Sequence, residues 1–196
     1  MNQFGKTIGN NFEIQETIKA LNGNIEEDVM ETVTTLGSVI VSLASTEKDK
    51  EINIARISEV IKSGKALTKF RQMVSAQGGD ENYINNPDKF EKAENVLPVY
   101  STKDGFISEI DTDIVGSISK FLKIVRSFDS DEIDNTAGIV FEKKVGSEVK
   151  VGEIVAYVYS NDKDRALRAS QNLTDAFRIS DFPIRKVSRI LEVYGM

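Results

Sequence analysis

The spacing of apolar positions changes part-way along this chain. Up to about residue 77 they recur three and four residues apart, the period of amphipathic helices. After Pro98, short runs of β-branched and aromatic residues take over, bounded by glycine-containing turns. Residues 1–9, with Gly5 and Gly9 and few apolar side chains, read as a loop. Asn10 with Glu13 three residues on predicts a helix N-cap pair; Ile14, Ile18 and Leu21 follow at helical spacing, and Asn22-Gly23 supplies the stop. A second helix is predicted over about 26–44, with Val29, Val33, Leu36, Ile40 and Leu43 on one stripe. Gly37 and Ser38 would let a neighbour pack closely there, since glycine otherwise weakens a helix interior. After a charged turn at 46–51, a third helix carries Ile54, Ile57 and Ile61 to Ser63-Gly64. A fourth carries Leu67, Phe70 and Val74 to Gln77-Gly78-Gly79. Four such helices pack as a bundle or coat a sheet.

Residues 79–97 are polar, with Pro87, and read as a linker between a helical part, 1–78, and a second part, 98–196. In the second part, 99–101 and 106–110 predict short strands around the turn Lys103-Asp104-Gly105. Residues 111–125 predict a helix with Ile114, Ile118, Phe121, Leu122 and Val125 on one side, and 126–135 an acidic loop. The runs 139–145 and 154–159 predict two strands folding back on each other around Gly146 and Gly152. A helix over 162–177, with Ala166, Leu173 and Phe177 inward, and a last strand over about 185–194 complete an α+β unit.

Composition narrows the chemistry. The formal net charge of -6 argues against a general nucleic-acid binder, which needs a cationic surplus to neutralise phosphates. Lys143-Lys144 and Arg185-Lys186 are pairs among acidic residues, a solvated mixed surface. With no cysteine there is no disulfide or thiolate nucleophile; with no histidine there is no Ser-His-Asp triad or imidazole base. No apolar run has the length of a membrane span and no N-terminal signal is present, so a cytoplasmic protein without membrane partners is expected.

Five places have residues that could bind something, each beside a plainer reading. Gly78-Gly79-Asp80 could cradle an anion, but a helix C-cap explains it better. Residues 8–11 precede a helix N-terminus, where phosphate can bind, without the spacing of a Walker or dinucleotide loop. Glu13 and Glu16 lie one turn apart and could join loop carbonyls around a hard cation; on residue types alone the capping role prevails. The hinge Lys143-Lys144-Val145-Gly146 has the look of a biotinyl or lipoyl turn but lacks its Met-Lys-Met or Asp-Lys-Ala setting, so a structural turn is preferred. The acidic run 129–134 has four carboxylates in six positions but neither the glycine nor the closing glutamate of an EF-hand loop.

Several segments, taken in order, resemble one family. They are Gly5, Ile8-Gly9-Asn10, Glu13 and Glu16, Thr35-Leu36-Gly37-Ser38, Ser63-Gly64-Lys65-Ala66-Leu67 and Ala76-Gln77-Gly78-Gly79-Asp80. After the linker come Asp104-Gly105, Glu109-Ile110-Asp111, Ile133-Asp134, Gly138-Ile139-Val140, Lys143-Lys144-Val145-Gly146 and Tyr159-Ser160-Asn161. The ordered set resembles the C-terminal part of pyrimidine-nucleoside phosphorylases and thymidine phosphorylases. That resemblance implies helices of a central α/β domain over 1–78, then a hammerhead-like, barrel-sandwich-related C-terminal domain over 98–196. It implies an enzyme that cleaves pyrimidine nucleosides with phosphate. The family's Lys-His-Ser-Thr-Gly-Gly phosphate run and its base-binding arginine, serine and lysine have no counterpart here, so no catalytic or substrate-binding residue carries over and the chain alone is expected to be inactive.

The resemblance carries over a potassium half-site: the carbonyls of Phe4 and Thr7 and the carboxylate of Glu16. Tight binding to this chain alone is not expected, because hard cations need several oxygens to replace their hydration. The family's Gly-Ala-Gly before an arginine is Lys123-Ile124-Val125 here, and a histidine before Lys-Lys is Glu142. The expected partner is the missing N-terminal half of the enzyme or a second copy of the chain. The alternative is a non-catalytic half-protein or binding module. A phosphoribosyltransferase of the anthranilate type is disfavoured, because it lacks a counterpart of residues 97–196.

Overall fold

The computed structural model describes residues 4–46, 48–126, 132–184, 188 and 190. The architecture is α+β, with two antiparallel sheets. It divides into two compact units: residues 1–14 with 90–186, and residues 15–89 with 187–196. The chain opens with a two-residue strand, β1 (Thr7–Ile8), inside the stretch expected to be loop, and a helix, α1 (Asn10–Leu21). The Asn10/Glu13 cap lies one residue earlier than expected: Gly9 carbonyl accepts from the Glu13 N–H at 2.8 Å, and the Glu13 carboxylate accepts from the Gly9 N–H at 3.1 Å. Gly23, in a left-handed conformation (φ 93°), follows the last turn.

The helical unit contains α2 (Glu27–Ala44), α3 (Lys50–Lys62), α4 (Lys65–Ala76) and a single turn, α5 (Asn82–Asn85), within the segment expected to be a linker. The α2–α3 contact is built from small and polar residues. Ser38 and Asn53 are fully buried, Thr34, Thr35 and Ser42 nearly so, and Asn53 Nδ2 donates to Ser42 Oγ at 3.0 Å. A methyl group on Gly37 would lie 2.7 Å from Ile57 Cδ1, so the missing side chain is what lets α3 approach. The expectation of close packing at Gly37-Ser38 is thereby met. The apolar stripe of α2 faces the other way: Val33, Leu36, Ile40 and Leu43 are all exposed.

The mixed unit begins with β2 (Asn95–Tyr100) and β3 (Gly105–Ile110), continues with α6 (Thr112–Phe121), β4 (Gly138–Phe141), β5 (Glu148–Val149), β6 (Ile154–Ser160) and α7 (Lys163–Thr174), and closes with β7 (Phe177–Ser180). The strands form two sheets, ordered β1-β4-β6-β2 and β5-β3-β7. The expected pairing of β4 with β6 is present, in the register Ile139↔Val158. The first of the two runs stops at Phe141, however, because the chain leaves for the other sheet and makes β5 before returning. For the same reason β2 and β3 flank a turn without pairing: β2 pairs with β6 and β3 with β5 and β7. Gly105 (φ 138°) makes this possible, since any side chain there would meet the Ser180 carbonyl at 2.4 Å. Pro98 sits mid-way along β2, an edge strand, where its missing N–H breaks no ladder bond.

One core serves both sheets and both helices, with Ile107, Ile139, Phe141, Val155, Val158, Ala169 and Leu173 at or near complete burial. Helix α6 ends at Phe121, so Val125 lies beyond it and is exposed, and Phe177 belongs to β7 rather than to α7. The strand expected over 185–194 lies outside the described residues apart from Ser188 and Ile190, neither of which is in a strand. Among the described residues no helix is long and apolar enough to cross a membrane.

Asp111 and Asp162 cap α6 and α7 by accepting backbone N–H bonds, and those bonds hold both carboxyls below the usual carboxylate range. The other end of α6 is less conventional. Lys123 adopts φ 60°, with its N–H donating to the Lys120 carbonyl and the Ile124 N–H donating to Ser119. This is the Schellman geometry that glycine adopts without a Cβ penalty. We therefore expect Lys123→Gly to raise stability by about 0.5–1 kcal/mol in denaturant unfolding. A loss of stability would contradict the account of this cap.

Candidate functional site

Two of the residues singled out for cation binding, Phe4 and Thr7, lie in a segment held by backbone contacts. Strand β1 lies on the edge of its sheet and pairs with β4 (Thr7↔Val140, Ile8↔Ile139). The Phe141 N–H donates to the Lys6 carbonyl at 2.8 Å. Antiparallel ladders alternate, so if residue 6 bonds across to β4, the backbone of Thr7 points away from it. That is the orientation a carbonyl ligand needs.

Immediately after β1 the chain turns through Gly9 (φ 132°), and a methyl group there would lie 2.5 Å from the Ala137 carbonyl. The Phe12 ring covers Gly138, 2.4 Å from where its Cβ would be, and stacks at a tilt on Tyr159 with centroids 4.6 Å apart. Burial, then the Glu142 carboxylate, pushes the Tyr159 phenol up. Asn10 Nδ2 donates to Asn135 Oδ1 at 2.8 Å.

Phe4 is exposed and Thr7 half-buried, both in the mixed unit; Glu16 is half-buried on α1 and belongs to the helical unit. The Glu13 carboxylate caps Gly9, as the plainer reading held. Among the described residues no three carboxylates gather into a metal cage.

The mixed unit also holds a polar cleft of about 460 Å³ between the end of α6, the start of α7 and residues 132–136. Its floor is a hydrogen-bond chain. Asp134 Oδ1 accepts from Thr136 N–H at 2.8 Å and from Thr136 Oγ1 at 2.6 Å; Asn161 Nδ2 donates to Thr136 Oγ1 at 2.9 Å; Asn161 Oδ1 accepts from the Glu94 N–H at 3.0 Å. Its two cations are engaged. Lys123 pairs with Glu132 and holds that carboxyl below its usual range, and Arg165 pairs with Asp162 at 3.2 Å while donating to the Phe121 carbonyl at 3.1 Å. An entering anion would have to displace a carboxylate from each. The network residues Thr136 and Asn161 carry no charge and no period, and residue types alone do not point to them.

The other candidates resolve to structural roles where they are described. Gly78 (φ 79°) and Gly79 close α4, their N–H groups donating to Ser75 and Val74 carbonyls. Lys143 pairs with Glu153 at 2.6 Å, and the Lys144 N–H donates to Ser147 Oγ in the turn that leads into β5. Of the acidic run, residues 129–131 lie outside the described residues.

Sequence comparison decides the family. Residues 106–180, from β3 to β7, match the model of the pyrimidine nucleoside phosphorylase C-terminal domain. The pyrimidine-nucleoside phosphorylase of Staphylococcus aureus (strain USA300) is 38% identical over 165 residues, 84% of this chain. That of Geobacillus stearothermophilus is 35% identical over 190 residues, 96% of this chain. The chain belongs to the pyrimidine-nucleoside phosphorylase family. It spans 38% and 43% of the length of these two relatives, less than half of each.

Within this phosphorylase-family chain, the turn at Gly9 is the point of least tolerance near the candidate cation residues. Gly9→Ala combines a forbidden φ with a backbone collision and is expected to cost about 2–4 kcal/mol. Gly23→Ala, with φ 93° but open space around it, is expected to cost about 1 kcal/mol. Equal losses for the two variants in denaturant unfolding would show that the approach to Ala137 carries no weight.

Proposed function

We propose that this chain is the scaffolding, C-terminal portion of a pyrimidine-nucleoside phosphorylase, with residues 98–196 as its hammerhead-like domain. In the complete enzyme an oxygen of inorganic phosphate forms a bond to the anomeric carbon as the bond to the pyrimidine breaks, giving free base and pentose 1-phosphate. The observation that carries the reading is the lopsided match: similarity runs through 96% of this chain but takes in 43% of the Geobacillus relative. The chain's own chemistry agrees. It has no histidine, and the cations lining its polar cleft are engaged with carboxylates, so no cationic pocket for phosphate and a departing base is formed there.

Purified alone, the chain is expected to release no base from uridine or thymidine in the presence of phosphate. Mixed with the portion of the Geobacillus enzyme that it does not match, it is expected to restore phosphorolysis, followed by the change in base absorbance. Turnover by the lone chain would overturn the proposal.

The same reading assigns potassium to the carbonyls of Phe4 and Thr7 and the carboxylate of Glu16, with the remaining ligands on the other portion. Bound there, potassium would supply a fixed positive charge beside the phosphate-binding segment. The outward-facing backbone at Thr7 supports this assignment. In the reconstituted enzyme Glu16→Ala is expected to raise the potassium concentration for half-maximal activity roughly tenfold. Glu27→Ala, a control on α2, should leave it unchanged.

A further inference from the structure

Two dipeptides in this chain carry the same latent reaction. Asn22 is the one asparagine followed by glycine, and Asp104 the one aspartate. In such pairs the glycine backbone nitrogen can attack the side-chain carbonyl carbon of the residue before it and close a five-membered imide. Glycine favours the attack because no side chain shields its nitrogen. At asparagine the new C–N bond expels ammonia, and at aspartate it expels water. Water then opens the ring at either carbonyl, leaving aspartate or its isomer linked through the side-chain carbon.

The fold treats the two pairs differently. Asp104 Oδ1 accepts from the Val151 N–H at 2.6 Å, which holds the carboxylate on the turn between β5 and β6. Gly105 is paired with Val149, and its would-be Cβ lies 2.4 Å from the Ser180 carbonyl. The reacting atoms of this pair cannot move together without opening a sheet.

Asn22 and Gly23 lie exposed at the end of α1. Gly23 has φ 93°, with open space where a side chain would be. Three bonds hold the pair. The Gly23 N–H donates to the Ala20 carbonyl at 2.9 Å, the Asn24 N–H to the Lys19 carbonyl at 3.0 Å, and Asn22 Nδ2 to the Ile18 carbonyl at 3.0 Å. The first two form a Schellman cap. The Gly23 bond engages the hydrogen that the attacking nitrogen must lose. The Asn22 bond draws the carboxamide back along the helix. All three belong to a last helical turn, the part of a helix that opens most readily.

We infer that Asn22 is a deamidation site of this chain, gated by the Schellman cap of α1, while the sheet keeps Asp104 unreactive. The inference does not rest on the function proposed above. Conversion places a negative charge at a helix C-terminus, where the macrodipole disfavours it. In the isomer an extra methylene enters the backbone before Gly23, so the Gly23 and Asn24 N–H groups no longer reach Ala20 and Lys19 together. The product loosens the end of the helix that carries Glu16.

The test incubates the full chain in warm, mildly alkaline buffer and follows each protease-derived peptide by mass and by chromatography, which separates aspartyl from isoaspartyl forms. Conversion at Asn22 is expected to run at least about tenfold faster than isomerisation at Asp104, at a rate that stays flat as urea is raised below the unfolding transition, because the last turn opens locally. Asn22→Gln, which keeps the amide but needs a larger ring, is expected to stay unconverted at that position. Wild type aged in this way is expected to melt earlier than Asn22→Gln aged beside it. Conversion of Asp104 first would overturn the inference. So would an Asn22 that converts only in proportion to global unfolding, or one that survives in the folded chain while converting readily in denaturing urea. Equal melting of the two aged chains would overturn the role given to the cap.

Discussion

A backbone that approaches closer than a methyl group permits is what the mixed unit depends on. Gly9 passes 2.5 Å, measured from its would-be Cβ, from the Ala137 carbonyl, and Gly105 passes 2.4 Å from that of Ser180. The first contact brings β1 to the edge of the four-stranded sheet; the second lets β3 run beside β7 in the other sheet. Between them lies one continuous core. Hydrophobic burial supplies the driving force for folding, but these absent side chains decide which strands can meet.

The helical unit is organised on different terms. Its α2–α3 contact uses Thr34, Thr35, Ser38, Ser42 and Asn53, and hydrogen bonds such as Asn53 to Ser42 offset the cost of burying them. Small side chains bring two helices close without much apolar area. A unit held this way leaves its largest apolar side chains available for something else, and α2 presents them in a row.

Much of the element order was legible in the sequence. The 3.6 period found α1 to α4, and glycine marked the ends of α1, α3 and α4 because each takes a left-handed turn there (Gly23, Gly64, Gly78). Alternation and β-branching found β4 and β6. What the pattern missed has physical causes. Strand β1 has two residues, too few to show a period. A turn signal between β2 and β3 fixes a change of direction but not the partner, and here the partners lie in different sheets. The face that α2 buries was not legible either, because periodicity identifies a stripe without saying whether the chain itself covers it. At the candidate site the capping glutamate was legible one residue out of place, whereas the Asp134–Thr136–Asn161 chain was not, because Thr136 and Asn161 are uncharged and meet across 25 residues of sequence.

Pro98 has a consequence for how the molecule avoids the wrong neighbours. Open sheet margins recruit other chains by offering a row of amide hydrogens. Along β2 that row is interrupted at its middle, where the proline ring has nothing to donate, and β1 and β5 expose only two residues each. A chain stacking on β2 would meet a gap after two or three residues. Fibril-like growth is therefore discouraged at the very margin where a six-residue strand would otherwise template it.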